Sequence, residues 1–203
     1  MKSFTLLALL LGVGVVPGFA DLTNGGFEST NIGQWYKTVF AGDSTTIPGW
    51  LVTGNTVDIV NTVNGPDWSN TGNQAIDLAG TPGPGGIEQS IWTNLNERYT
   101  FSFYASTNGA SIKDGLLVEW NGAPIGSPVT TPSQGTWQQF SYTEQGTGGL
   151  TSVSLSTPVT GSAGPLVDDV SVVSAPEPSL LWSLGAGLAL ALSLIRRSRL
   201  GLA

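Results

Sequence analysis

The residues of this chain that could do chemistry are carboxylates, amides and aromatic rings. There is no His and no Cys, which excludes Ser-His-Asp triads, Cys–His nucleophiles, disulfides and the common zinc sites. Any acid–base work would fall to carboxylates, Lys or Tyr. Glycoside hydrolysis needs two carboxylates about 5–10 Å apart across a cleft. Asp58, Asp77, Glu88 and Glu119 are available, with Asp58 and Asp77 in strand-like segments. Their spacing does not pair any two of them. The Gly-rich run 80–86 lacks Lys, contains Pro82 and Pro84 and precedes a strand-like segment. It is a linker between strands and not a phosphate loop.

Sugar rings stack their C–H faces on aromatic rings while amides and carboxylates take the hydroxyls, so a sugar site needs both. Trp35-Tyr36 and Asp67-Trp68-Ser69-Asn70 lie in polar, turn-rich stretches outside the clear strands. Trp35, Tyr36, Asp67, Trp68 and Asn70 are therefore the candidate ligand-binding residues. Trp50, Trp92 and Trp137 fall within strand patterns and are expected in the core, with Phe101, Phe103 and Phe140. Trp120, just before Asn121-Gly122, fits either role.

The run Leu166-Val167-Asp168-Asp169-Val170-Ser171-Val172 raises a different chemistry. Asp168 shares parity with Val170 and Val172 and is expected to face inward. A buried carboxylate without a partner is costly, and no Lys or Arg is nearby in sequence. A bound Ca²⁺ would remove that penalty, as would a set of hydrogen bonds without metal. A strand bulge would exchange Asp168 and Asp169.

These residues are carried by a chain rich in turns and poor in charge. Of 203 residues, 28 are Gly and 12 Pro, and only 10% are charged, against about 25% in ordinary domains. Short β-type runs closed by Gly, Pro or Asn recur, and no window has helical periodicity. Thr56–Val60, Gln74–Leu78, Ile87–Trp92, Tyr99–Ala105, Leu116–Trp120, Trp137–Thr143, Leu150–Leu155 and Leu166–Val173 are among nine or ten predicted strands. Asn121-Gly122 predicts a hairpin turn. The fold class is all-β, a two-sheet jelly-roll sandwich.

The two ends differ from this domain. Residues 1–20 carry Lys2, an apolar run from Phe4 to Val16 and small residues at Gly18 and Ala20. That pattern predicts a secretory signal peptide removed by signal peptidase. Residues 176–203 comprise Pro176-Glu177-Pro178, an uncharged run at 179–195 predicted to form a transmembrane helix, and Arg196, Arg197 and Arg199. Basic residues past such a run face the cytoplasm. The ectodomain is residues 21–175, with 13 acidic residues against Lys37, Arg98 and Lys113. A charge of that sign argues against nucleic acid and favours neutral over acidic glycans.

The tail resembles the PEP-CTERM sorting signal of Gram-negative bacteria. The resemblance implies transient anchoring in the inner membrane and cutting by an exosortase-type enzyme during export to the cell surface or extracellular matrix. Within the domain, Asn24-Gly25-Gly26-Phe27-Glu28 and Leu166–Val172 together resemble the galactose-binding-like jelly rolls of many carbohydrate-binding modules. There, the first and last strands share a structural calcium, which adds Asn24 and Glu28 to Asp168 or Asp169 as implied ligands. Ile47-Pro48-Gly49-Trp50, Val57-Asp58-Ile59-Val60, Ile76-Asp77-Leu78-Ala79-Gly80 and Gly86-Ile87-Glu88-Gln89 resemble the bacterial choice-of-anchor C family and a related plant cell-wall domain family of unknown function. The implied role is non-enzymatic association with polysaccharide or exopolysaccharide. A structural matrix protein and a carboxylate-dependent glycoside hydrolase are the rival expectations.

Overall fold

A computed structural model describes residues 22–175. The predicted signal peptide, Pro176-Glu177-Pro178, the run 179–195 and the terminal arginines lie outside the described residues. Twelve strands are formed: β1 (Tyr36–Phe40), β2 (Leu51–Gly54), β3 (Thr56–Asn61), β4 (Gln74–Asp77), β5 (Gly85–Trp92), β6 (Arg98–Thr107), β7 (Ile112–Trp120), β8 (Ala123–Pro124), β9 (Val129–Thr131), β10 (Gln138–Gln145), β11 (Leu150–Ser156) and β12 (Pro165–Ser174). They make two antiparallel sheets, ordered β1-β3-β4-β12-β6-β10 and β2-β5-β11-β7-β8, with β9 also on β7.

Alternation decides which side chains fill the space between the sheets. In β6, Tyr99, Phe101 and Phe103 point inward and are buried. Phe101 and Tyr99 meet Trp120 of the other sheet at centroid distances of 6.4 and 6.2 Å, and Phe140 stacks on Phe103 at 5.7 Å. Trp50 is buried against Phe27 at 5.7 Å, and its indole N–H donates to the Asn24 carbonyl at 3.1 Å. These rings supply the cohesion that disulfides give many exported domains.

Turn chemistry sets the β7–β8 connection as expected. Asn121 and Gly122 both have left-handed φ, 53° and 73°, the geometry of the tight hairpin turn. Near the N-terminus, Gly25 lies so close to β12 that a Cβ there would strike the Val170 carbonyl. The Val170 N–H donates to the Gly25 carbonyl at 2.9 Å.

Several expectations need correction. β1 and β9 were not foreseen as strands: β1 buries only Val39 of its five residues, and β9 has three. A mostly exposed edge strand such as β1 has no clear period for sequence to show, and the buried-exposed-buried alternation of β9 is too short to stand out. Trp92 is 62% exposed, because Ile87 and Ile91 hold the inward parity and residue 92 takes the other face. Trp137 lies one residue before β10 and packs outside the main core, on Val60, Ala75 and Leu166. Asp168 is fully buried but faces Tyr104 on the outer side of its sheet. A bulge between Asp168 and Ser171, with Asp169 at φ 49°, shifts the parity so that Val170 and Val172 still reach the core.

Candidate functional site

The site is built on the outer face of the β1-containing sheet. Strand register places Tyr36 opposite Val60, Thr38 opposite Asp58, Asp58 opposite Asp77, and Val60 opposite Ala75. Val60, Ala75 and Leu166 form a small apolar floor, roofed by Trp68 from the 62–73 segment and Trp137 from the β9–β10 loop. A cleft of about 290 Å³ opens beside this roof, lined by Trp35, Tyr36, Asp58, Val60, Trp68, Thr81, Asn108 and Ser162. Two further hollows continue from it, the first sharing Trp35 and Tyr36 with the cleft and the second touching only the first. One, of about 620 Å³, runs along residues 33–38. The other, of about 250 Å³, is lined by Glu28, Asn31, Asn61, Asn73 and Gln74 and meets the first at Gly33.

The cleft contains both kinds of group that a sugar needs. Trp35 and Tyr36 are 60% and 46% exposed, and with Trp68 they supply ring faces. Asp58 is held by Thr81, whose hydroxyl donates at 2.7 Å and whose N–H donates at 3.3 Å. Asp77, behind Asp58, accepts from the Ala79 N–H at 2.9 Å, the Asn108 amide at 3.0 Å and the Gly164 N–H at 3.4 Å. Burial pushes its carboxyl up to about 7, with the neighbouring Asp58 charge adding to the effect. Among the described residues no Lys or Arg lines the cleft, and Lys37 lies along the adjoining hollow. The buried indole N–H groups of Trp68 and Trp137 have no hydrogen-bond partner.

The predicted ligand residues thus divide. Trp35, Tyr36 and Trp68 come together although 33 positions of sequence separate the first from the last. Asp67 is exposed and lies outside the cleft lining. Asn70 is a structural residue: its N–H donates to Asp168 at 2.8 Å and its side-chain amide to Asp169 at 2.7 Å. Thr81, Asn108 and Ser162 escaped sequence reasoning, because a lone Thr, Asn or Ser in a Gly-rich loop carries no distinguishing pattern. Asp58 was visible only as a carboxylate in a strand.

The four residues expected to hold calcium make hydrogen bonds within the chain in this structure. Asp168 also accepts from the Thr71 N–H at 3.1 Å and the Asp169 N–H at 2.7 Å, and Asp169 accepts from the Thr71 hydroxyl at 2.7 Å. Glu28 accepts from the Asn73 and Gln74 N–H groups, both at 2.7 Å. Asn24, at φ 53°, bonds to Ser29 and Pro48. Among the described residues, no three carboxylate, His or Cys side chains cluster as metal ligands do. N–H and O–H donors reach both oxygens of Asp168 and Asp169 and Oε1 of Glu28, so the acidic pair fastens Asn70 and Thr71 to β12 and Glu28 holds residues 73 and 74. Burial, then the adjacent Asp169 charge, pushes the Asp168 carboxyl up to about 7.

Fold and site define an all-β sandwich with a surface cleft on one sheet. The chain belongs to the family described as Protein of unknown function (DUF642), whose pattern matches residues 20–173. It is 31% identical over 188 residues to halomucin of Haloquadratum walsbyi (strain DSM 16790 / HBSQ001), covering 85% of this chain but 2% of halomucin. The chain therefore spans a small fraction of that relative. The solved structure of TmCBM61 in complex with β-1,4-galactotriose has a TM-score of 0.55, 16% identity, and coverage of 76% of this chain and 97% of that one. A cyclase from Fischerella sp. TAU has a TM-score of 0.56 and 16% identity, covering 80% of this chain and 100% of that one. These two likenesses show the fold, a jelly roll of the carbohydrate-binding-module kind.

Proposed function

We propose that this protein is a non-catalytic carbohydrate-binding protein that holds a neutral glycan chain in the Trp35–Tyr36–Trp68 cleft. One observation carries the reading: three aromatic rings converge with Asp58, Thr81, Asn108 and Ser162 on one concave surface. Ring faces stack on the sugar, and the polar groups take its hydroxyls. Within the cleft itself the Asp58 carboxylate, with no cation among the lining residues, disfavours uronic and sulfated chains, and Lys37 lies only along the adjoining hollow. The adjoining hollows suit several consecutive sugar units and not a single terminus. Jelly-roll likeness to carbohydrate-binding modules supports the same reading by analogy.

Catalysis finds no support in the geometry. The only cross-strand carboxylate pair at the cleft is Asp58–Asp77, and Asp77 is 1% exposed with three donors on its oxygens. An acid so enclosed does not reach a glycosidic oxygen. We further propose the cellular setting implied by the tail: a PEP-CTERM, choice-of-anchor C type protein, exported across the inner membrane, cut by an exosortase-type enzyme and retained at the surface or in the matrix.

A glycan array with the wild-type chain, Trp35→Ala and Asp58→Asn tests the site. Wild type is expected to retain neutral oligosaccharides, and both variants to lose at least tenfold in affinity while staying folded. Wild-type binding to no glycan, with retention in purified matrix, would replace this reading with a structural matrix role.

A further inference from the structure

Three large apolar side chains stand exposed at the end of the sandwich remote from the cleft: Trp92 at 62%, Leu95 at 67% and Leu150 at 68%. They form one patch. Trp92 and Leu150 are cross-strand partners on β5 and β11, on the face turned away from the core. Leu95, in the β5–β6 loop, packs against Gly148 of the β10–β11 loop. The two loops are tied firmly: Asn96 donates to the Gly146 carbonyl at 3.1 Å, Gly146 to Glu97 at 2.8 Å, and Thr93 to Gly149 at 2.9 Å. About two thirds of each of these side chains stays in contact with water, and burying that apolar surface would be favourable.

The chain leaves the domain at the same end. The Ala175 N–H donates to the Arg98 carbonyl at 2.7 Å, and Arg98 is three residues beyond Leu95. Only Pro176-Glu177-Pro178 separates Ala175 from the uncharged run 179–195. Three extended residues span at most ~11 Å, and the head-group layer alone is roughly 5–8 Å deep. A span that begins at Ser179 therefore holds Ala175, and the patch beside it, against the membrane surface.

We propose that the Trp92–Leu95–Leu150 patch docks into the lipid head-group layer while the chain is tethered. The occupant is the bilayer interface, where an indole with one apolar and one polar edge is favoured. Docking fixes the orientation of the cleft. Leu166, on the cleft floor, and Ser174, near the exit, are eight residues apart on β12, roughly 25 Å. The cleft thus faces away from the membrane, toward extracellular polymer. This inference rests on the reading of 179–195 as a membrane span.

Because the chain has no Cys, single cysteines report without removal of native ones. The mature full chain is placed in nanodiscs of phosphatidylethanolamine and phosphatidylglycerol with an environment-sensitive dye at Leu150→Cys or, as the remote control, Ala163→Cys. A blue shift and quenching by head-group-labelled lipid at position 150 but not at 163 is the expected result. With Trp92→Ser added, the shift at 150 should be lost while the chain stays in the disc. Equal emission at both positions in a disc-bound chain overturns the docking alone. A chain that does not enter discs overturns the membrane-span reading and the docking with it. A shift that follows protein concentration instead of lipid overturns it in favour of self-association.

Discussion

Two acidic pairs sit on the outer face of the same sheet, and they do different work. Asp168 and Asp169 are neighbours in sequence, split by a bulge, and their oxygens take donors from Asn70, Thr71 and Asp169 itself. Asp58 and Asp77 are neighbours only across the β3–β4 ladder. There both members are buried: Asp77 is fully bonded, and Asp58, 4% exposed and held by Thr81, lines a cleft. Acidity alone thus identifies neither a metal site nor a ligand site. What separates the pairs is where the donors come from. In the first pair they belong to a loop that must be held down. In the second they position a buried carboxylate in the wall of a cleft.

The sharpest way to break this contrast is to remove the carboxylate that holds the loop. Asp168→Ala strips an acceptor from three backbone N–H groups and frees the segment that carries Trp68. A loss of about 3 kcal/mol is expected, read as a large drop in urea midpoint together with weakened glycan binding. Asp168→Asn should recover little, because an amide turns an N–H toward donors where the carboxylate only accepts.

The second test separates binding from folding. Trp35→Ala removes a ring that is 60% exposed. It should cut glycan affinity by at least tenfold, about 1.4 kcal/mol, and leave the melting temperature within a degree or two. Equal losses of stability and binding in this variant would make Trp35 a packing residue.

The third test uses pH. With no His in the chain, side-chain titration between pH 5 and 8 must come from perturbed groups. Asp77 and Asp168 both have folded values of about 7 against an ordinary 3.8. Their folded forms bind a proton more tightly than the unfolded chain does. The stability this confers is complete below pH about 4 and is lost as pH rises through 7. Melting temperature should therefore fall by roughly 5 °C or more from pH 5 to pH 8, and Asp77→Asn should flatten the profile. A flat wild-type profile would show that both carboxylates stay ionised.

The smallest expected effect is that of chelation. Because donors reach both oxygens of Asp168 and Asp169 and one of Glu28, EDTA should move the melting temperature by less than a degree. A large destabilisation, reversed by calcium, would turn the first pair back into a metal site.

The sequence by itself determined the fold class. Inward parity in Tyr99–Phe103, the Asn121-Gly122 turn and the density of Gly and Pro are local features, and local sterics and periodicity set them. It also marked Trp35, Tyr36 and Trp68 as candidates, since rings in polar turns are conspicuous. Only the tertiary structure decided that these three share a cleft, that Asp58 and not Asp67 or Asn70 joins them, and that Trp92 faces outward. Strand order and register bring together residues far apart in the chain, and one bulge moved Asp168 to the other face. Those pairings arise from non-local contacts, which neither the period of a segment nor the composition of a loop encodes.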